Sequence, residues 1–167
     1  MNKMFVTTVT GVVTPGVVKA MANLTREAGG EWLSSKVIKM DAWFAAMMKV
    51  AIVQDKVAAL QADFVQQFPE LTFSFSDMAE VHSDHTRSLR FNVDCSDRPG
   101  LTREIVDILS NLDLEVEQME CNRMHVSTLG QTVFSAKLAV SVPEEISGDS
   151  IIELLENVSQ DARVSLT

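Results

Sequence analysis

Pro15-Gly16 and Pro99-Gly100 stand 84 residues apart, and that single offset brings most of the chain into register with itself. A chain of 167 residues that repeats at half its length has to build two copies of one unit, each with its own core. Behind each Pro-Gly step lies a helical pattern. Val17, Met21, Leu24 and Ala28 fall on Leu101, Ile105, Ile108 and Leu112, spaced 4, 3 and 4, which is one face of an α-helix. Ahead of it, Phe5, Thr7 and Val9 fall on Leu89, Phe91 and Val93, alternating as a half-buried strand does.

The remainder follows the same order in both copies. Gly29-Gly30 ends the first helix, residues 31–41 (EWLSSKVIKMD) read as extended, and AWFAAMMKVAI puts Phe44, Met48, Val50 and Ile52 on one side of a strand. A second helix is predicted from Gln54 to Phe68, with Val57, Leu60, Phe64 and Phe68 in line, stopped by Pro69 and followed by the strand LTFSFS. The second copy has ECNRMHV, a turn at Leu129-Gly130, TVFSAKLAVSV with Phe134, Ala136, Leu138, Val140 and Val142 facing one way, then helix SIIELLENVSQ and strand ARVSLT. Each copy is therefore β-α-β-β-α-β. The fold class is α+β, two ferredoxin-like units in tandem, each a four-stranded antiparallel sheet carrying two helices on one face. The divisions expected are residues 1–80, a polar linker 81–87, and residues 88–167. In the usual strand order the third strand separates the first from the second, which keeps Cys95 from reaching Cys121.

Charge narrows the partners. Residues 1–83 hold 7 Lys/Arg against 8 Asp/Glu and residues 84–167 hold 7 against 15, so the formal charge of −9 sits almost wholly in the second half. Nucleic acid binding is dominated by Lys/Arg contacts to phosphate, so direct binding of DNA or RNA is not expected, and a basic protein surface is the better complement. No run of eighteen apolar residues is present and the start, MNKMFVTTVTG, lacks a secretory pattern, so neither membrane insertion nor export is expected. The expected location is cytoplasmic, where both cysteines stay reduced.

Chemistry-bearing patterns are sparse. The chain has no G-x-S-x-G, H-E-x-x-H, P-loop or G-x-G-x-x-G, and no enzyme activity or cofactor is expected. An acylphosphatase-like phosphate cradle would need an arginine in TVTGVVTPG, which has none. His82 and His85 have metal-ligand spacing but no third ligand in sequence, so they read as solvated linker residues and no metal is expected. Phe44 and Phe134 lie in core stripes, which leaves no aromatic platform for RNA.

The Pro-Gly turns are the candidate site. A strand-to-helix turn leaves first-turn amides free, and these carry partial positive charge able to seat a carboxylate. The residues expected to line such seats are Gly11, Val13, Thr14, Gly16 and Val17 in the first copy and Asp97, Arg98, Gly100 and Leu101 in the second. Proline would preset φ at the first helical position, and glycine would let another group approach the backbone. Asp97 is placed either to receive an ammonium group or to cap the coming helix; Arg98 is a solvated charge or a carboxylate clamp. The competing reading is that each Pro-Gly is only a tight turn.

Asp97-Arg98-Pro99-Gly100-Leu101, followed by Ile105, Leu109, Asp113 and Val116, resembles the opening of an ACT domain, the amino-acid-sensing regulatory module. Residues 11–32 resemble it more loosely, with Val13-Thr14 in place of Asp-Arg; Asp113 stands where the family ends its helix with Gly, and Glu31 and Glu115 replace its Asn. A stand-alone pair of such repeats is similar to the tandem ACT repressors of the glycine cleavage system. That resemblance implies binding of a small amino acid, glycine being the candidate, action through contact with a transcription activator protein, and a homodimer. The alternative from another class is a constitutive interaction or scaffold protein with no small-molecule ligand.

Overall fold

The computed structural model of the chain describes residues 1–79 and 85–167. It divides into two compact units, Met1–Val81 and His82–Thr167. The first consists of β1 (Asn2–Val12), α1 (Val17–Glu27), β2 (Glu31–Met40), β3 (Trp43–Val53), a short 3-10 turn, α2 (Val57–Gln67) and β4 (Thr72–Asp77). The second consists of β5 (Thr86–Ser96), α3 (Leu101–Asn111), β6 (Glu115–Val126), β7 (Gln131–Pro143), α4 (Gly148–Glu156) and β8 (Arg163–Leu166). Both sheets are four-stranded and antiparallel, ordered β2-β3-β1-β4 and β6-β7-β5-β8. The predicted order is the observed one, and β7 does separate β5 from β6, so Cys95 and Cys121 are both free. Among the described residues, no helix is long and apolar enough to cross a membrane.

The repeat extends to irregularities that the hydrophobic pattern does not show. The β2–β3 register shifts between Trp32 and Ser34, and the β6–β7 register between Val116 and Gln118, so the skipped residues Leu33 and Glu117 again differ by 84. Gly16 and Gly100 have φ of 76° and 90°, while Gly29 and its counterpart Asp113 have φ of 84° and 54°. An aspartate tolerates this left-handed region better than most side chains, which explains how the helix still ends there without glycine.

Each unit has its own core on the helix-covered face. In the first, Phe5, Val9, Phe44, Met48, Val50 and Ile52 from the sheet meet Met21, Leu60 and Phe64 from the helices. Phe64 stacks on Phe73 with ring centroids 5.5 Å apart and on Phe75 at 6.4 Å. Thr7 shares this buried face and its hydroxyl has no partner, whereas the buried Thr25 hydroxyl accepts from Trp32 Nε1 and donates to the Met21 carbonyl. In the second, Phe91, Val93, Leu138, Val140 and Phe134 meet Leu101, Ile105, Leu109, Ile151 and Leu155.

Candidate functional site

In each unit the Pro-Gly turn lies beside the loop that joins the second helix to the last strand. Pairing of β1 with β4 puts Phe73 opposite Val9, and pairing of β5 with β8 puts Val164 opposite Val93. Phe73 and Val164 are therefore equivalent, and three residues earlier Glu70 corresponds to Asp161. One buried exchange marks this corner. A Cβ on Gly11 would stand 2.4 Å from Leu71 Cδ2, whereas the second unit has Cys95 and Ala162 at these two places. Gly11 thus makes room for Leu71 rather than for a ligand. Burial pushes the Cys95 thiol upward, with Asp161 adding to the effect, so it is an inert core sulfur.

The turns themselves differ from expectation in their physical logic. The helices begin at Val17 and Leu101, so each proline stands one residue before the capping glycine and not at the first helical position. The left-handed glycine between them turns the strand into the helix. Nothing lies within 4 Å of a Cβ built on Gly16, so glycine is needed there for its positive φ and not for close approach. Neither α1 nor α3 receives a side-chain cap. Asp97 does not cap α3; its Oδ1 accepts from Arg123 Nε at 3.0 Å, and its amide donates to the Thr132 carbonyl.

In the second unit the protein's own groups bridge the helix start, while a concavity of about 620 Å³ remains beside them, lined by Ser96, Arg98, Val158, Ser159 and Asp161. Arg98 Nη1 donates to Glu104 Oε1 at 2.9 Å and Arg98 Nη2 to Glu104 Oε2 at 2.5 Å, a bidentate pair that also reaches the Val158 carbonyl. The guanidinium holds the Glu104 carboxyl below its usual range. Glu104 Oε1 lies 3.7 Å from where Gly100 would carry a Cβ, so an internal carboxylate already occupies the helix start. Asp161 adds a second tie, accepting from the amide and hydroxyl of Ser96 and from the Ser159 hydroxyl. Arg98 is therefore a clamp, but on an internal carboxylate, and Leu101 is fully buried beneath it.

Asp161 carries a pH signature. Hydrogen bonds from Ser159 first, then from Ser96, hold its carboxyl down to about 2. A depressed folded value contributes stability above the unfolded value of about 3.9 and loses it as pH falls toward the folded one. The stability gap between the wild type and Asp161→Ala, read from urea midpoints, should be full above pH 5 and close between about pH 4 and pH 2. A gap unchanged across that range would remove the carboxylate from this role.

In the first unit the same corner lacks that bridge. Thr14 and Ala20 stand where Arg98 and Glu104 do, 84 residues on, and both are too short to span the turn. A concavity of about 280 Å³ results, lined by Thr14, Pro15, Gly16, Val17, Phe68 and Glu70 among others. Not every expected donor is free. The Val13 amide donates to Ala42 at 2.7 Å and the Val17 amide to Thr14 at 3.2 Å, which leaves the first-turn amides of Val18 and Lys19 unused by the backbone. Glu70, exposed on the opposite wall, was not predicted from sequence; only the register of β4 against β8 shows it to be the counterpart of Asp161. Of the nine predicted site residues, Thr14, Gly16 and Val17 line this opening, whereas Val13 is committed to a turn. His82 and His85, read as solvated linker residues, fall partly outside the described residues, since His82 is among those not described.

Comparison with known proteins adds a family match to the first unit. Residues 3–76 match the ACT domain model, so the match falls on the copy whose turn motif is the looser of the two. None of the curated proteins matches this chain in sequence. An unknown protein from Galdieria sulphuraria has a similar fold at TM-score 0.87 and 18% identity, covering 99% of this chain and 98% of that one. A protein provisionally named a glycine cleavage system transcriptional repressor is similar at TM-score 0.74 and 15% identity, covering 100% of this chain and 97% of that one. At those identities the likeness is one of fold. The chain is accordingly two ACT-like ferredoxin units in tandem, with residues 3–76 matching the ACT domain model and the second half repeating the same architecture.

Proposed function

We propose that the chain is a non-enzymatic regulator that binds a small amino acid in the first unit and transmits it through protein contact, in the manner of a glycine cleavage system repressor acting on a transcription activator. The observation that carries this reading is the unequal lining of the two turns: the second helix start is bridged by Arg98 and Glu104, whereas the first, with Thr14 and Ala20 at those places, leaves a concavity of about 280 Å³ over Gly16 and Val17. The cleft sets the start of α1, at Gly16 and Val17, against Glu70, and the next two amides of that helix start, Val18 and Lys19, have no backbone partner. A zwitterionic amino acid presents a carboxylate and an ammonium to match them, glycine being the simplest candidate. Binding to one packing of the cleft shifts the population of that packing, and with it the surface a partner meets.

Thermal melts against the twenty amino acids test it. A rise with one or a few small ones, reversed by dialysis, is the expected result. A flat panel would favour the other reading, a constitutive contact protein in which the first seat, like the second, holds no ligand.

A further inference from the structure

The two sheets leave opposite kinds of surface on the face away from their helices. In the second unit, β5–β7 and β6–β7 pairing puts Arg90, Asp94, Glu120 and Lys137 on that face, an ordinary solvated mixture of charges. In the first unit, cross-strand pairing aligns Val12 with Trp43 and Met40, then Ala45 with Ile38, then Met47 with Lys36, and beyond them Lys49. Met40 is 76% exposed, Ile38 61% and Trp43 60%, with Val12 and Met47 also more than half exposed. Each such side chain leaves on the order of 100 Å² in water, so the five form an apolar patch of roughly 500 Å², at the upper end of what a soluble monomer displays without a use for it.

Charge selects the occupant. Lys36 and Lys49 lie on this same face, and among the described residues its only carboxylate is Glu31, at the end of the sheet far from Trp43. The chain as a whole carries −9. A second copy of the chain is a poor occupant, since two such faces would bring four lysines together while two strongly acidic bodies repel. We infer that the open sheet face of the first unit docks a protein segment that presents apolar side chains flanked by carboxylates. Trp43, Met40 and Ile38 supply the buried centre, and Lys36 and Lys49 set polarity and register at its rim. This rests on the regulatory reading only for the existence of a protein partner; the surface follows from the strand register.

The test uses two labelled synthetic peptides on the full chain: one alternating leucine and phenylalanine with glutamate, the other with lysine in place of glutamate. Fluorescence anisotropy should show the acidic peptide bound at least tenfold more tightly, with affinity falling as salt rises. Trp43→Ser should weaken it at least tenfold, and Lys36→Glu with Lys49→Glu should invert the preference, all with an unchanged circular dichroism spectrum. Equal or absent binding of the two peptides would overturn the inference. So would tighter binding of oligouridylate through Trp43, which would make the face a nucleic-acid platform, or a sedimenting dimer dissolved by Trp43→Ser, which would make the occupant a second copy. A flat amino-acid panel with acidic preference intact would sink the regulatory reading alone; a melt shift without that preference would sink this one alone.

Discussion

Replacing Phe64 with alanine is expected to destabilise the first unit by about 3–5 kcal/mol, the largest effect of any single change considered. Phe64 is fully buried and its ring is the hub against which Phe73 and Phe75 stack, so truncation removes a helix–sheet contact and opens a cavity between elements that cannot collapse independently. The aromatic pairs add to the transfer term, because their offset stacking has no substitute once one ring is gone. No residue of the second core belongs to the first unit. Hydrogen exchange should therefore show loss of amide protection along β1, β3 and β4, with β5 and β7 much less affected. A loss below about 1 kcal/mol would show that the first core repacks around the void.

Installing the second unit's clasp in the first is expected to abolish any amino-acid response. Thr14→Arg with Ala20→Glu places a guanidinium and a carboxylate at the positions of Arg98 and Glu104, on a turn whose glycine has the same left-handed conformation. The new carboxylate then sits at the start of α1 as Glu104 sits at the start of α3, and the arginine covers the opening. A ligand at a hundred times its dissociation constant stabilises the protein by about 2.7 kcal/mol, roughly ten degrees or more in melting temperature for a unit this small. The variant should melt at the same temperature with and without it. A melt shift that survives the double substitution would place the ligand elsewhere. Glu70→Gln is the milder companion, expected to weaken binding while leaving the cleft open, because it removes the acceptor charge and not the space.

The architecture was readable from residues alone because its signals are local. Helix and strand periods in two copies, together with the Pro-Gly steps, gave the element order, and the strand order separating Cys95 from Cys121 followed from that order. Boundaries slipped at element ends, as where the helix expected over SIIELLENVSQ is observed over Gly148–Glu156. The helix expected from Gln54 begins with a 3-10 turn over Gln54–Lys56, and the prolines stand outside their helices because a left-handed glycine is interposed. Glycine at these turns was anticipated for close approach, yet positive φ is the reason, and a backbone angle leaves no trace in hydrophobic pattern. Capping, one of the two roles expected for Asp97, is not observed, because its partner, Arg123, lies 26 residues away on β6.

Duplication, strand order and the placing of two turns at the edges of two cores belong to the sequence, since periodicity and turn chemistry act over a few residues. Which turn is bridged belongs to the tertiary structure. Arg98 meets Val158 across 60 residues and Ser96 meets Asp161 across 65, so the bridging of one corner depends on loops that only folding brings together. The same holds for the face crossed by Trp43, Met40 and Ile38: alternation marks one side of a strand as outward, but only strand pairing gathers the outward residues of neighbouring strands into a single apolar surface.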